Sequence, residues 1–350
     1  MKYNVAKPTI KKDVYLPTDQ ITLQLNFPNE EYVANSWAIS FDLFLQESTG
    51  VPIVPATDLY IDATIGGHAM IGLEKLSFET SGDVYTNKEY ARVYKMKTVC
   101  NIGTDSQASE SSELTQLKCS NDGITNLLMV KIQSVYLVPL SGLNSLSNNL
   151  RSDVTGMITV EFNVQELVRS VFGPDANTAN VLQLSNIIGH YKSVPFSTKE
   201  PTPVYMGVMH TIQQKINTGS ASISTNVPSN AVSSMSCSFL PVSSDGEYAY
   251  NQNYLAEPPD ITRVQWSWNN TTVQYIEYPI ETRQEMLQGF VESMGGNPND
   301  IRSDSNFGLG VKFPSLLDLR NKTIGLQLES GITSADPYYI YMVFNTFIQI

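Results

Sequence analysis

The residues that metal binding or nucleophilic chemistry would draw on are few: three histidines, His68, His190 and His210, and three cysteines, Cys100, Cys119 and Cys237. No histidine pair has the H-x-x-x-H spacing and no cysteine pair the C-x-x-C spacing, so neither supplies the paired ligands of a zinc site. His68 follows Gly66-Gly67 with Asp58 and Asp62 upstream. A metal there needs all three to converge from a loop, and a lone surface or turn histidine is the simpler reading. A nucleophilic serine needs a G-x-S-x-G elbow between strand and helix; Ser141-Gly142 has no helical pattern after it and reads as a turn. Gly308-Leu-Gly310 lacks the third glycine and the helix that would offer amides to phosphate, so it reads as a loop entering a strand at Val311 and Phe313. Asn297, Asn299, Asp300 and Asp304 offer oxygens for calcium but miss the EF-hand spacing, which leaves a solvated loop. The carboxylates are scattered, with no pair to nominate for glycoside hydrolysis. The sequence therefore nominates no catalytic, cofactor-binding or metal-ligating residue, and no small-molecule substrate.

The elements around these residues follow a period of two. Ile21, Leu23, Leu25 and Phe27 alternate with polar residues, as do Trp37, Ile39, Phe41, Leu43 and Leu45. Ile158, Val160 and Phe162 repeat the pattern, followed by Ile324, Leu326 and Leu328, and by Ile340, Met342 and Phe344. A strand sends successive side chains to opposite faces, so each set predicts one buried face of a half-exposed sheet. Pro28-Asn29, Ser81-Gly82-Asp83, Asn121-Asp122-Gly123 and Gly295-Gly296-Asn297-Pro298 are turn chemistry between them. Val135 to Leu143, an apolar run ending in Pro-Leu-Ser-Gly-Leu, leads through a polar loop into Met157 to Phe162. A strand leaves a sheet there, crosses a loop and re-enters. Many short strands separated by turns predict β-sandwiches.

A hairpin is expected where Ile261 to Trp268 meets Thr271 to Ile276 through Asn269-Asn270, because asparagine tolerates positive φ. Trp266 and Trp268 then share one face, either packed in a sheet or subunit interface or offered to a ligand. Helices are few. Thr282 to Glu285 has the capping-box pattern ahead of an apolar stripe of Met286, Leu287, Phe290, Val291 and Met294, stopped by Gly295-Gly296. A second short helix is expected near Gln165 to Val171. These two do not occupy equivalent points of two halves, so they do not mark a repeat. The breaks at Gly173-Pro174, Pro195, Pro201 and Pro203 suggest a division of the chain. The expected parts are an N-terminal basic arm over 1–14, one sandwich over 15–175, a connector over 176–200 and a second sandwich over 201–350. The polar run Gly103 to Ser112 reads as an exposed loop.

Composition sets further bounds. Of 350 residues, 41% are hydrophobic, enough for a sizeable core, and only 16% are charged, against about a quarter in ordinary globular chains. The difference is made up by uncharged polar residues, which suit surfaces that pack closely over large areas. A net charge of −12 repels a phosphate backbone, which argues against coating nucleic acid. The first twelve residues depart from this. Lys2, Lys7, Lys11 and Lys12 precede the first acid, Asp13, and read as a frayed basic tail or as an arm meeting an anionic membrane, an acidic neighbour or nucleic acid. The first residues carry no apolar signal-peptide core, so the protein is expected to be made in the cytosol and not secreted. Cys100 and Cys119 flank a polar loop that a disulfide would close under oxidation, but in a reducing compartment the cysteines are expected to be free thiols, and the sequons at Asn269, Asn270 and Asn321 chance matches.

Three segments together resemble the double jelly-roll major capsid proteins of tailless icosahedral viruses, the lineage that includes adenovirus hexon and the virophages. The first is Gly66 to Gly82, continuing to a tyrosine-bearing segment at Tyr90. The second is Val138-Pro-Leu-Ser-Gly-Leu143 through Phe162. The third is Val227 to Phe239, followed by the Trp266/Trp268 hairpin and the helix from Thr282. The resemblance implies an all-β fold of two tandem eight-stranded jelly-roll sandwiches with a few short helices in loops, and no active site. It also implies a non-enzymatic subunit of the virion capsid, assembled inside the host cell into homotrimeric, pseudo-hexagonal capsomers. Such capsomers would touch one another, penton and minor capsid proteins. The basic arm would face inward, to an internal membrane or the genome. Two other readings compete: a single jelly-roll capsid or penton protein, and a carbohydrate-binding β-sandwich that uses Trp266 and Trp268 as a stacking platform.

Overall fold

The computed structural model describes residues 1–47, 59–60, 65–101, 118–119, 130–165, 171, 180–197, 202–227, 229, 231–244, 255–256, 258–268, 271–277, 283–297 and 307–350. The chain divides into two compact units, Met1–Tyr94 with Ala108–Val208 and Gln349–Ile350, and Lys95–Gln107 with Met209–Ile348.

Eight principal strands build the first unit: β1 (Lys2–Ala6), β2 (Gln20–Leu25), β3 (Ala38–Glu47), β4 (Ile71–Phe78), β5 (Gly82–Asn87), β6 (Val130–Leu137), β7 (Ile158–Val164) and β8 (Asn180–Pro195). One sheet runs β1-β8-β3-β6 and the other β2-β7-β4-β5, with antiparallel pairing throughout. Short strands Glu30–Tyr32 and Leu150–Arg151 extend the first sheet beside β8. Successive strands switch between the two sheets except at β4–β5, the order of a jelly roll. The second unit repeats it with β9 (Tyr205–Ile216), β10 (Ser220–Asn226), β11 (Val232–Pro241), β12 (Ile261–Trp268), β13 (Thr271–Glu277), β14 (Leu309–Leu317), β15 (Thr323–Ser330) and β16 (Tyr338–Gln349). Its sheets run β9-β16-β11-β14 and β10-β15-β12-β13, the first unit's order with eight added to every number. The fold is two jelly rolls in tandem, as the strand patterning and the resemblance imply, and a single jelly roll is ruled out.

The inward faces carry the predicted sets. Ile21, Leu23 and Leu25 of β2, Ile39, Phe41 and Leu43 of β3, and Ile158, Val160 and Phe162 of β7 are all buried. The two sheets meet closely at Gly189 of β8, where a Cβ would lie 2.6 Å from the ring of Trp37 and 3.3 Å from Leu23 on the opposite sheet. Phe27, Tyr32 and Tyr191 close the neighbouring layer with ring centroids 6.2–6.4 Å apart, and the Tyr191 hydroxyl donates to the Asn26 carbonyl at 2.9 Å.

Two expectations about the first unit are corrected. The connector expected over 176–200 contains β8, a strand of sixteen residues. Its alternation is broken by a bulge: Leu182 and Leu184 point inward, the register shifts between Ser185 and Ile188, and Ile187 and Tyr191 then take the inward positions. Asn186 turns the chain there with φ 51° and donates to Asp42 at 2.7 Å. The N-terminal arm expected over 1–14 is likewise structured. Residues 2–6 are the first jelly-roll strand, paired with 189–193 of β8. Beyond it the Thr9 amide donates to Thr22 at 2.9 Å, and Tyr15 exchanges backbone bonds with Leu184.

Helix α1 (Tyr90–Asn101) follows β5, and helix α2 (Gln284–Ser293) follows β13. These are equivalent points of the two jelly rolls, so the repeat that the expected helices lacked is present. The helix expected near Gln165 to Val171 lies almost wholly outside the described residues. Helix α2 presents the predicted stripe, with Met286, Phe290, Val291 and Met294 buried. Its N-cap is Arg283, without a side-chain capping bond, and Thr282 of the expected capping box lies outside the described residues.

Helix α2 lies across the outer face of one sheet of the second unit. Ser234 and Ser236 of β11 face it, bonding to the Ser293 carbonyl and hydroxyl at 2.6 and 2.7 Å, and Asn345 of β16 adds a bond to the Ser293 carbonyl at 2.8 Å. Met235, Cys237 and Phe239 alternate with these serines and fill the core. Beneath the helix, Gly310 of β14 has no room for a side chain, because its Cβ would meet the Ser293 side chain and the Gly289 carbonyl. Gly308-Leu-Gly310 is thus a helix-seating element. Gly310→Val should cost roughly 1–3 kcal/mol by overpacking in denaturant unfolding; an unchanged midpoint would show that helix and strand are not in contact.

Candidate assembly surface

The outer face of the β1-β8-β3-β6 sheet gathers large apolar and aromatic side chains. Tyr3 and Val5 of β1 are 77% and 61% exposed, and Tyr136 of β6 is 52% exposed. In register, Tyr3 lies opposite Lys192 and Val5 opposite His190. The Lys192 ammonium sits 5.0 Å from the Tyr3 ring centroid, a cation–π contact. His190 bonds Ser40 at 2.8 Å and lies 5.6 Å from the Tyr136 ring, and partial burial lowers its pKa. The stripe is aromatic and weakly basic. Sequence reasoning missed Tyr3, Val5, Tyr136 and His190 as a group; the one local signal was alternation within Lys-Tyr-Asn-Val-Ala.

The predicted lysines occupy the same end of the chain but do not form one cluster. Lys2 lies 3.8 Å from Glu30 and Lys12 2.6 Å from Asp19, exposed pairs of small energetic value. Lys7 and Lys11 are exposed. Met1 and Ile10 are also exposed, at 74% and 65%, so the lysines are interleaved with apolar side chains.

Trp266 and Trp268 are separated by their surroundings. Trp266 is 2% exposed on the inner face of its sheet, with Val264, Leu326 and Leu328 also buried there. Trp268 is partly exposed, with the Lys322 ammonium 4.7 Å from its ring. Trp266 therefore offers no ring face to a sugar. The strands β12 and β13 do form a hairpin, with a register shift between Trp266 and Ser267; Asn269 and Asn270 lie outside the described residues.

The residues weighed for chemistry stand apart. His68 is buried, not on the surface: its Nδ1 is 2.7 Å from the Tyr90 hydroxyl and its ring stacks on Tyr94 at 3.5 Å. Burial lowers its pKa to about 3, so it stays neutral. Asp58, Asp62, Asn299, Asp300 and Asp304 lie outside the described residues. Ser141-Gly142 opens a 3-10 turn over Gly142–Asn144. Cys100 and Cys237 are buried free thiols, and desolvation pushes their pKa values up, which disfavours the reactive thiolate. Among the described residues no group of three or more His, Cys, Asp or Glu is placed to hold a metal ion. A hollow of about 590 Å³ in the first unit is bordered by Glu31, Asn149, Arg151 and Ser197. These bond to the protein itself: Ser197 and Asn149 donate to Glu31, and Arg151 to Asp153.

These placements separate core from surface. Trp266→Ala should cost about 3–5 kcal/mol, whereas Tyr3→Ser should stay within about 0.5 kcal/mol. Equal losses in denaturant unfolding would place Tyr3 in a packed environment.

A scan against models of known protein families finds no match, and a search of curated proteins finds none either. Solved structures do match. The Faustovirus major capsid protein aligns over 100% of this chain and 90% of its own with TM-score 0.63 and 8% identity. PBCV-1 VP54 aligns over 100% and 94% with TM-score 0.59 and 10% identity. The mavirus major capsid protein aligns over 99% and 90% with TM-score 0.52 and 10% identity. With so little identity over almost the whole of each chain, what is shared is the architecture: this chain has the double jelly-roll fold of those viral proteins.

Proposed function

We propose that the protein is the major capsid subunit of an icosahedral virus, a structural tile and not an enzyme. The observation that carries this reading is the repetition of one strand order in both units, together with alignment along nearly the full length of major capsid proteins. A tile must fill a hexagonal lattice from few copies. Three chains of two similar jelly rolls supply six similar corners, and closed threefold symmetry satisfies the contacts that each copy leaves open. Low charge and many uncharged polar residues suit broad contacts whose rims are hydrogen-bonded. The outer stripe of Tyr3, Val5 and Tyr136 is of the kind enriched at such contacts. The finer reading is a homotrimer that meets neighbouring capsomers, penton and minor capsid proteins in the virion. Lys7 and Lys11, with Met1 and Ile10 beside them, then face inward toward an anionic membrane or the genome.

Size-exclusion chromatography with light scattering should give a particle of about three times 38.8 kDa, and electron microscopy of expressed protein with its partners should show closed shells. A monomer at all concentrations would overturn the reading. Removing residues 1–12 is a poor test of the basic segment, because it deletes strand β1. Lys7→Gln with Lys11→Gln leaves the strand intact: trimers should persist while the yield of closed shells falls. Undiminished shells would end the inward role.

A further inference from the structure

One inward position of the first jelly roll breaks the apolar rule. On β4 the inward residues are Glu74, Leu76 and Phe78, all buried. Glu74 is 2% exposed, and its register partners are Asn87 on β5 and Phe162 on β7. Glu74 Oε2 and His68 Nε2 lack a hydrogen-bond partner here, while the Asn87 amide lies against the Tyr85 hydroxyl. Asn87 spends its carbonyl oxygen on the Glu89 amide at 3.0 Å. Tyr90, at the start of α1, accepts from the Leu140 amide at 3.4 Å and meets His68. A carboxylate cannot remain charged in such a place without a counter-charge, and among the described residues no cation pairs with it. On β4 itself Lys75 points outward, 2.8 Å from Asp83 and 3.7 Å from Glu161. The β5 strand contributes Tyr85, α1 contributes Tyr90 and Tyr94, and the turn before β4 contributes neutral His68. Arg92, also on α1, bonds Glu89 at 3.1 Å. Lys95 and Lys97, further along α1, make no ion pair with Glu74, which desolvation alone perturbs. The opposite sheet presents Phe41, Leu43, Leu182 and Leu184, all apolar.

We propose that Glu74 is an alkaline switch for the first jelly roll: its buried carboxyl fits only with the proton on, and losing that proton loosens β4, β5 and the start of α1. Desolvation raises the Glu74 pKa from 4.5 to about 8. The folded chain therefore keeps a proton that the unfolded chain has released. The Glu74 contribution to stability is fully present below the lower value, falls as pH rises between the two, and levels off beyond about 8. His68, lowered to about 3, acts on the acid side only, because an unfolded histidine is already neutral above about 6.5. The Tyr85 and Tyr90 hydroxyls, with pKa values raised well above 10.0, stay protonated across the range. Above neutrality Glu74 is thus the member of this cluster that titrates.

The test compares the full-length protein with Glu74→Gln, which keeps the shape and a donor but has no proton to lose. Between pH 6.5 and 9 the melting temperature of the unsubstituted protein should fall by roughly 5 °C more than that of the variant. Hydrogen exchange over residues 71–94 should rise in the unsubstituted protein alone. Parallel melting curves would overturn the switch. If Glu74→Gln does not fold, the carboxyl carbon-13 shift of Glu74 in the unsubstituted protein decides. A midpoint well above the ordinary carboxylate range supports the proposal, and an ordinary midpoint overturns it. Neither result depends on shell formation, so failure here leaves the capsid reading untouched.

Discussion

The inward side chains of two facing sheets can leave water only together. No strand here buries its apolar face by local folding; β2 finds β7, and β3 finds β8, more than a hundred residues away. Each unit is held by that mutual covering, with most of the large buried residues on inward positions. The close approach of the sheets at Gly189 shows how little slack remains: one methyl group there would press into Trp37 and crowd Leu23. Interiors packed to this density do not deform gradually.

The helices after β5 and β13 show two solutions to one topological problem. Both lie where the chain must travel from one sheet to the other. Helix α2 covers the outer face of its sheet, and the sequence adapts with small residues: Ser234, Ser236, Gly289 and Gly310 let the helix sit close, while Ser293 gathers the polar contacts. As a result β11, and β16 over residues 340–344, are buried on both faces. Helix α1 is buried on nearly every side despite Arg92, Lys95 and Thr98. Without a polar face it has no 3.6-residue stripe, which is why the sequence around Tyr90 reads only as a tyrosine-bearing segment.

Other gaps in the sequence reading also have physical causes. Strand β8 hides because its bulge at Asn186 moves the inward residues from even to odd positions, so a fixed period of two fails across it. Strand β1 hides because its larger side chains, Tyr3 and Val5, point outward and its lysines suggest a tail. Glu74 interrupts an inward row, and only the burial of that row distinguishes it from a surface acid. Trp266 and Trp268 share a face as alternation requires, but their exposures differ.

By itself the sequence determined the class of fold. Alternation of apolar and polar residues, punctuated by turn chemistry, forces strands into sheets with one buried face, and the sparse His and Cys leave no zinc spacing. Alternation is local, a property of neighbours two apart, so it survives without knowledge of partners. What the tertiary structure decided is which strands meet, and therefore that a basic N-terminus is the first strand of a jelly roll and that a supposed connector is its last. It also decided that a glycine pair seats a helix and that one glutamate lies sealed inside. Each of these depends on residues far apart in the chain arriving at the same place, where desolvation and contact, not local pattern, set the outcome.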